Sequence, residues 1–181
     1  MSIEFLSELN NGRPEATKSE IEEKVYSFLN DIGVGFQSIE HSPAETIQIC
    51  HEIEKKLDAG ICKNLFLKNS AQTQYYLLLL DGDTKFESKI IAGQINSTRL
   101  SFASSEKLYE YLGLEAGSVS VLGLLNDKAS QAKLLIEDKL LDEEYFCCHP
   151  CRNTTTLKFK TSDIINCVIP AMGYDFTVIH T

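Results

Sequence analysis

With 181 residues, 43% of them hydrophobic and 24% charged, the chain has the size and composition of one soluble globular domain. Its longest apolar run, YYLLLL at Tyr75–Leu80, is far short of the ~20 residues a membrane helix needs, and its acidic N-terminus lacks the basic start of a secretion signal, so the expectation is a cytoplasmic protein whose six cysteines are free thiols. A net charge of −9 argues against a broad nucleic-acid binder, yet residues 1–60 hold 12 acids against 5 bases and residues 61–181 hold 14 against 12, which leaves room for a small contact with a phosphate backbone.

From Thr17 the apolar positions Ile21, Val25, Phe28, Leu29 and Ile32 recur at helical spacing, with Thr17 or Ser19 as cap and Gly33 as stop. FQSIEH reads as a short strand ended by Ser42-Pro43, and AETIQICHEIEKKLDAG as a second helix with Ile47, Ile49, Cys50, Ile53 and Leu57 on one side. CKNLFLKN and QYYLLLLD read as an antiparallel hairpin, and the unbroken apolar run in the second strand predicts burial on both faces. KFESKIIAGQI and SSEKLYEYLG read as short helices flanking an extended STRLSFA. GSVSVLGLLND reads as loop leading to strand, AKLLIED, EYFCCH and TTTLKFK as strands, TSDIINCVIPAMG as a helix capped at Thr161 or Ser162, and YDFTVIH as a last strand. This order, with hairpins rather than strict strand–helix alternation, predicts an α+β domain built on a mixed, largely antiparallel sheet with packed helices.

The segment CCHPCRNTT, Cys147–Thr155, crowds three cysteines around His149 and raises the question of a metal. Strand alternation would put Cys147, His149 and Cys151 on one face and Cys148 on the other. Structural zinc draws on two separated ligand pairs, and Cys50, His51 and Cys62 offer no such spacing, so packing thiols are the better reading and no metal is expected. A Cys–His nucleophile lacks an orienting third group. No glycine-rich phosphate loop of either nucleotide type occurs. Lys63, at the start of an otherwise apolar strand, reads from the residues alone more readily as a surface lysine at a sheet edge than as a functional one.

Three segments gain meaning from their order: K-N-L-F-L at Lys63–Leu67, G-S-V-S-V-L-G at Gly117–Gly123, and H-P-C-R-N at His149–Asn153. Together with VYSFLNDIG, E-H-S-P-A-E-T at Glu40–Thr46 and RLSFAS, they resemble the YbaK/prolyl-tRNA-synthetase-associated family of free-standing trans-editing domains, in particular its PrdX/ProX-like branch, from about Thr17 to Ile179. The resemblance implies one editing domain over residues 1–181, with 1–16 a peripheral segment. It implies a deacylase acting in trans on mischarged tRNA(Pro), most often the alanyl form, by water attack on the ester without metal, cofactor or covalent intermediate. The partners implied are the acceptor end of tRNA(Pro) and prolyl-tRNA synthetase, with no DNA and no membrane.

By position, the resemblance makes Lys63 the essential lysine and places Asn64, Gly117, Ser118, Val119, Gly123, His149 and Asn153 about the aminoacyl group. The proline usual in the glycine loop is Val121 here, which bears on loop conformation and on the amino acid accepted. Val121 also keeps in play a non-catalytic module of the same fold that senses an amino acid or binds tRNA or a synthetase. The chemistry is coherent with the residues. An aminoacyl ester is already activated, so its hydrolysis needs a positioned water and charge stabilisation, which a lysine ammonium and glycine-loop amides can supply. Lys63, Lys68, Arg152, Lys158 and Lys160 are candidates to meet the tRNA phosphates.

Overall fold

In the computed structural model, which describes residues 5–15, 19–43, 47–127 and 131–181, Ser19 begins the first helix: its hydroxyl accepts from the Glu22 amide at 3.3 Å. Thr17 lies outside the described residues, as do Ala44, Glu45 and Thr46 of the E-H-S-P-A-E-T segment. In chain order the elements are β1 (Asn10–Asn11), α1 (Glu20–Asp31), β2 (Gln37–Glu40), α2 (Ile47–Leu57), β3 (Lys63–Asn69), β4 (Tyr75–Leu80), α3 (Ser88–Gln94), β5 (Leu100–Phe102) and α4 (Ser105–Leu112). A 3₁₀ helix (Val121–Asn126) follows, then β6 (Ala132–Glu137), α5 (Asp138–Asp142), β7 (Tyr145–Cys148) and β8 (Thr155–Lys160). A helical run over 161–171 and β9 (Phe176–Ile179) complete the chain.

The strands form two sheets rather than one. The first is fully antiparallel in the order β1-β2-β8-β7, and the described part of the N-terminal segment edges it through Asn10 and Asn11. The second runs β5-β3-β4-β6-β9, antiparallel at β5-β3-β4 and parallel at β4-β6-β9. The main core lies between them: Phe66, Leu77, Leu79, Leu134 and Ile136 from the second sheet meet Phe146, Cys148, Leu157 and Phe159 from the first. The outer face of the second sheet, with Leu67, Leu78, Leu80 and Leu135, is covered by Ile91 and Ala92 of α3. The outer face of the first, with Ile39 and Cys147, is covered by Ile49, Ile53 and Leu57 of α2. β4 is buried at all six positions, as its apolar run predicts.

Three local expectations are corrected. GSVSVLGLLND does not enter a strand. The Ser120 hydroxyl accepts from the Leu122 amide at 3.2 Å, and the apolar run turns into a 3₁₀ helix with Val121–Leu124 buried; a short apolar run does not by itself distinguish helix from strand. The C-terminal helical run starts after Lys160, with no side-chain cap bond, so neither Thr161 nor Ser162 caps it. β7 stops at Cys148 and Cys151 takes φ +65°, so strand alternation ends before His149. Cys151 consequently packs in the same core as Cys148, whereas Cys147 faces α2.

Candidate active site

The seam between the sheets opens as a cleft of about 890 Å³. At its base the two sheets touch through an isolated bridge between Ile61 and Cys147. One side is α2, with Cys50, His51 and Glu54, and Asp58 just past its end; the others are the start of β3, the Asp81–Asp83 turn after β4, the glycine loop at Gly117 and Val119, and His149. Lys63, Asn64, Gly117, Val119 and His149, separated by up to 86 positions in the chain, thus line one space.

Lys63 is exposed at the first position of β3, and its Nζ donates to the Thr84 carbonyl at 3.0 Å. One donor of the ammonium fixes the side chain against the β4–α3 turn, and two remain for a ligand. That turn is itself held by Glu137, a fully buried carboxylate that accepts from the Asp81 amide at 2.7 Å and the Thr84 hydroxyl at 2.8 Å, and from the Thr181 hydroxyl. Burial alone would raise the Glu137 pKa, but these donors outweigh it and hold the carboxyl below its ordinary range.

Asn64 points to the other side of the strand and is engaged by the protein. Its Oδ1 accepts from the Val121 amide at 3.0 Å and its Nδ2 donates to the Cys62 carbonyl at 3.1 Å. The asparagine therefore fixes the glycine loop. The loop is tied again by Ser120, whose hydroxyl donates to the His149 carbonyl at 2.5 Å. Gly117 takes φ +88°, a conformation that an L side chain rarely adopts. Asn153 stands beside it, 3.8 Å from where a Cβ would be, and neither Asn153 nor Ser118 lines the cleft. Gly123 is not part of the site: it is buried in the 3₁₀ helix, and a Cβ there would come within 2.6 Å of Leu114 Cδ1.

His149 is half-buried at the wall, with Nδ1 2.9 Å from the Thr155 carbonyl. A carbonyl only accepts, so Nδ1 carries the proton and Nε2 is left as an acceptor. Burial depresses the pKa of the ring, with the Thr155 bond as a partial offset, so the imidazole is neutral at pH 7. Behind it stands a second histidine, the buried His41, with ring centroids 6.1 Å apart and Nε2 2.9 Å from Thr156 Oγ1.

Of the cleft's thiols, Cys62 is pushed up to about 12 by burial, and Cys50 is raised by the same cause, so neither is a ready nucleophile. Among the described residues no group of three or more His, Cys, Asp or Glu is placed to hold a metal ion. Two of the cations considered for tRNA contact have other work. Lys158 is buried, donates to the Leu57 and Asp58 carbonyls at the end of α2, and lies 4.0 Å over the Tyr145 ring. Arg152 pairs with the buried Glu22 at 3.4 Å. Ser120 and His41 fall inside the quoted motifs without a role of their own, and Thr84 and Glu137 lie outside them; the DGDT turn directly after a fully buried strand is the one local signal that could have raised Thr84.

Residues 41–167 match the aminoacyl-tRNA editing domain family. The chain belongs to that family. It is similar to the prolyl-tRNA editing protein ProX of Acetoanaerobium sticklandii, 33% identical over 86% of this chain and 94% of that protein. It is also similar to the prolyl-tRNA synthetase associated domain-containing protein 1 of Mus musculus, 24% identical over 90% of this chain and 97% of that one. Among solved structures, that of a candidate trans-editing enzyme for prolyl tRNA synthetase superimposes with a TM-score of 0.67 at 17% identity, over 90% of this chain and 98% of that chain, and so shares the fold. Among the described residues no helix is long and apolar enough to cross a membrane.

Proposed function

We propose that this editing-family chain is a trans-acting deacylase that hydrolyses mischarged tRNA(Pro), with the alanyl ester as its leading substrate. The observation that carries the reading is the convergence of Lys63, the Gly117–Val119 loop and His149 on one cleft beside the Ile61–Cys147 seam. The similarity to ProX, a prolyl-tRNA editing protein, supports the choice of tRNA.

In this mechanism the terminal adenosine enters between α2 and the glycine loop. The Lys63 ammonium, held by Thr84, offers its free donors to the polar atoms around the ester as a fixed point charge. The amides near Gly117, which a side chain would otherwise shield, approach the carbonyl oxygen and stabilise the developing oxyanion. Water attacks the carbonyl carbon, the C–O bond to the ribose breaks, and the ribose oxygen takes up a proton, leaving free amino acid and tRNA. The neutral His149 positions the water or the substrate through Nε2, and the neighbouring ribose hydroxyl assists in activating the water. Cleft walls of limited size admit alanine and exclude proline; a difference of this kind is worth roughly 1–3 kcal/mol.

The test is deacylation of Ala-tRNA(Pro) and a panel of other charged tRNAs. Lys63→Ala should lower the rate by about 10²–10³-fold, as loss of one preorganised charge does. Full activity in Lys63→Ala would sink the mechanism. Binding of tRNA without turnover in the wild type would favour the non-catalytic module.

A further inference from the structure

We propose that the surface running from Lys63 across Phe86 and Phe102 to Lys89 and Arg99 is the docking face for the single-stranded 3′ end of the RNA that carries the ester. The inference rests on the deacylase reading above and deepens it by saying where the polynucleotide lies.

The path begins at the cleft. Strand alternation puts Lys63, Leu65 and Leu67 on the same face of the second sheet, and Leu65 lines the cleft beside Lys63. Phe102, on the edge strand β5, is paired directly with Leu67, so its ring stands on that face too. The turn that anchors Lys63 through Thr84 continues at once into Lys85 and Phe86, and the Phe86 ring lies 5.9 Å from that of Phe102. The mouth of the cleft therefore runs directly onto a pair of aromatic rings. Phe102 is 62% exposed and Ile90, close by on α3, is 47% exposed; the sheet and α3 leave both uncovered.

The charge around these rings runs against that of the chain. Residues 84–107 contain four basic and two acidic residues, in a protein of net charge −9. Lys89 and Arg99 line a hollow of about 650 Å³ together with Ala92 and Gly93. Lys85, Lys89 and Arg99 are exposed and make no ion pair among the described residues, whereas Arg13, Lys56, Lys107, Lys139 and Arg152 each face a carboxylate. The exposed Phe102 ring, backed by the half-buried Phe86, with bare cations alongside offers the two components that single-stranded nucleic acid requires: a stacking platform for bases and charges for the phosphates. A duplex offers no free base faces to such rings, and a purely apolar partner would have no use for the cations. The nucleotides preceding the terminal adenosine fit both.

The experiment measures binding of an uncharged tRNA(Pro) transcript to the full chain by fluorescence anisotropy between about 50 and 200 mM salt, together with kcat and KM for deacylation. The triple variant Lys85→Ala, Lys89→Ala, Arg99→Ala should weaken binding at least about tenfold at the low end and flatten the slope of log K against log salt by about 2, as expected for three phosphate contacts on a single strand. Phe102→Ala should weaken binding about tenfold with the slope kept, since stacking is not a counterion effect. In both, KM rises while kcat stays within about twofold, and a Lys85→Arg, Lys89→Arg variant keeps the wild-type slope. Unchanged circular dichroism checks that these surface changes leave the fold intact. Wild-type RNA affinity and salt slope in both the triple variant and Phe102→Ala would overturn the proposal, as would a wild type that binds no tRNA(Pro). So would variants that keep RNA binding but lose a synthetase. A wild type that binds tRNA(Pro) but cleaves no charged form would remove the deacylase reading alone, and the binding series would still decide the surface.

Discussion

The two walls of the cleft are held by different physics. The Lys63 wall hangs on charge: a buried carboxylate, Glu137, gathers the Asp81 amide and the Thr84 hydroxyl, and the Thr84 carbonyl in turn holds the lysine. The glycine-loop wall is neutral. Asn64 holds the Val121 amide, Ser120 holds the His149 carbonyl, and Gly123 is wedged against Leu112 and Leu114. A wall built on one buried charge fails when that charge is removed, because its donors are left unsatisfied together. A wall built on shape and dipoles fails when its volume is changed.

The sharpest break should come from Glu137→Ala. It orphans the donors gathered on the carboxylate and should cost about 3 kcal/mol in urea unfolding, with kcat falling as the Thr84 carbonyl drifts from Lys63. An unchanged urea midpoint would show that the turn stands without its carboxylate. Gly123→Ala probes the other wall. Its added methyl would meet Leu114 at 2.6 Å, so a loss of about 2 kcal/mol is expected, with kcat retained wherever the protein remains folded. If stability held and activity collapsed instead, Gly123 would belong to the site after all.

The smallest effect is a pH dependence. His149 has a folded-state pKa below its unfolded value, so the unfolded chain binds the proton first as pH falls. Stability should therefore decline as pH drops below about 6.5, and His149→Gln should flatten that part of a Tm-against-pH curve. Glu137, whose folded pKa is depressed, contributes stability above its unfolded value of 4.5 that is lost only as pH falls below it, so its limb of the curve should survive the histidine change. A His149→Gln profile that overlays the wild type between pH 5 and about 6.5 would contradict the depressed value.

What could be read from the sequence follows from how local each cause is. The β3–β4 hairpin, the double burial of Tyr75–Leu80 and the α1 and α2 periodicities depend on nearest neighbours and were legible. The split into two sheets was not, because it depends on β2 pairing with β8 across more than a hundred residues. Lys158 looked like a surface cation because nothing near it in sequence shows that its ammonium ends under α2. The cysteine segment misled for a similar reason: alternation is a property of strands, and the left-handed turn at Cys151 ended it. Within the cleft, the hydrogen bonds that hold each residue were not legible in the sequence. Asn64 holds the loop through an amide that a proline at 121 could not have donated.

Lys63 and Asn64 are adjacent residues on opposite sides of one strand, one turned to the charged wall and the other to the neutral wall. A slip of β3 by a single residue against β4 would turn each to the opposite face, so that the cation no longer meets the charged wall and the amide no longer ties the loop. Such a slip would also drive Phe66 and Leu67, which face different cores, to the wrong sides. The oily middle of the strand thereby polices the polar start of it. A misregistered chain would lose its core before it could present a misassembled site, and the population of folded molecules is kept free of defective catalysts.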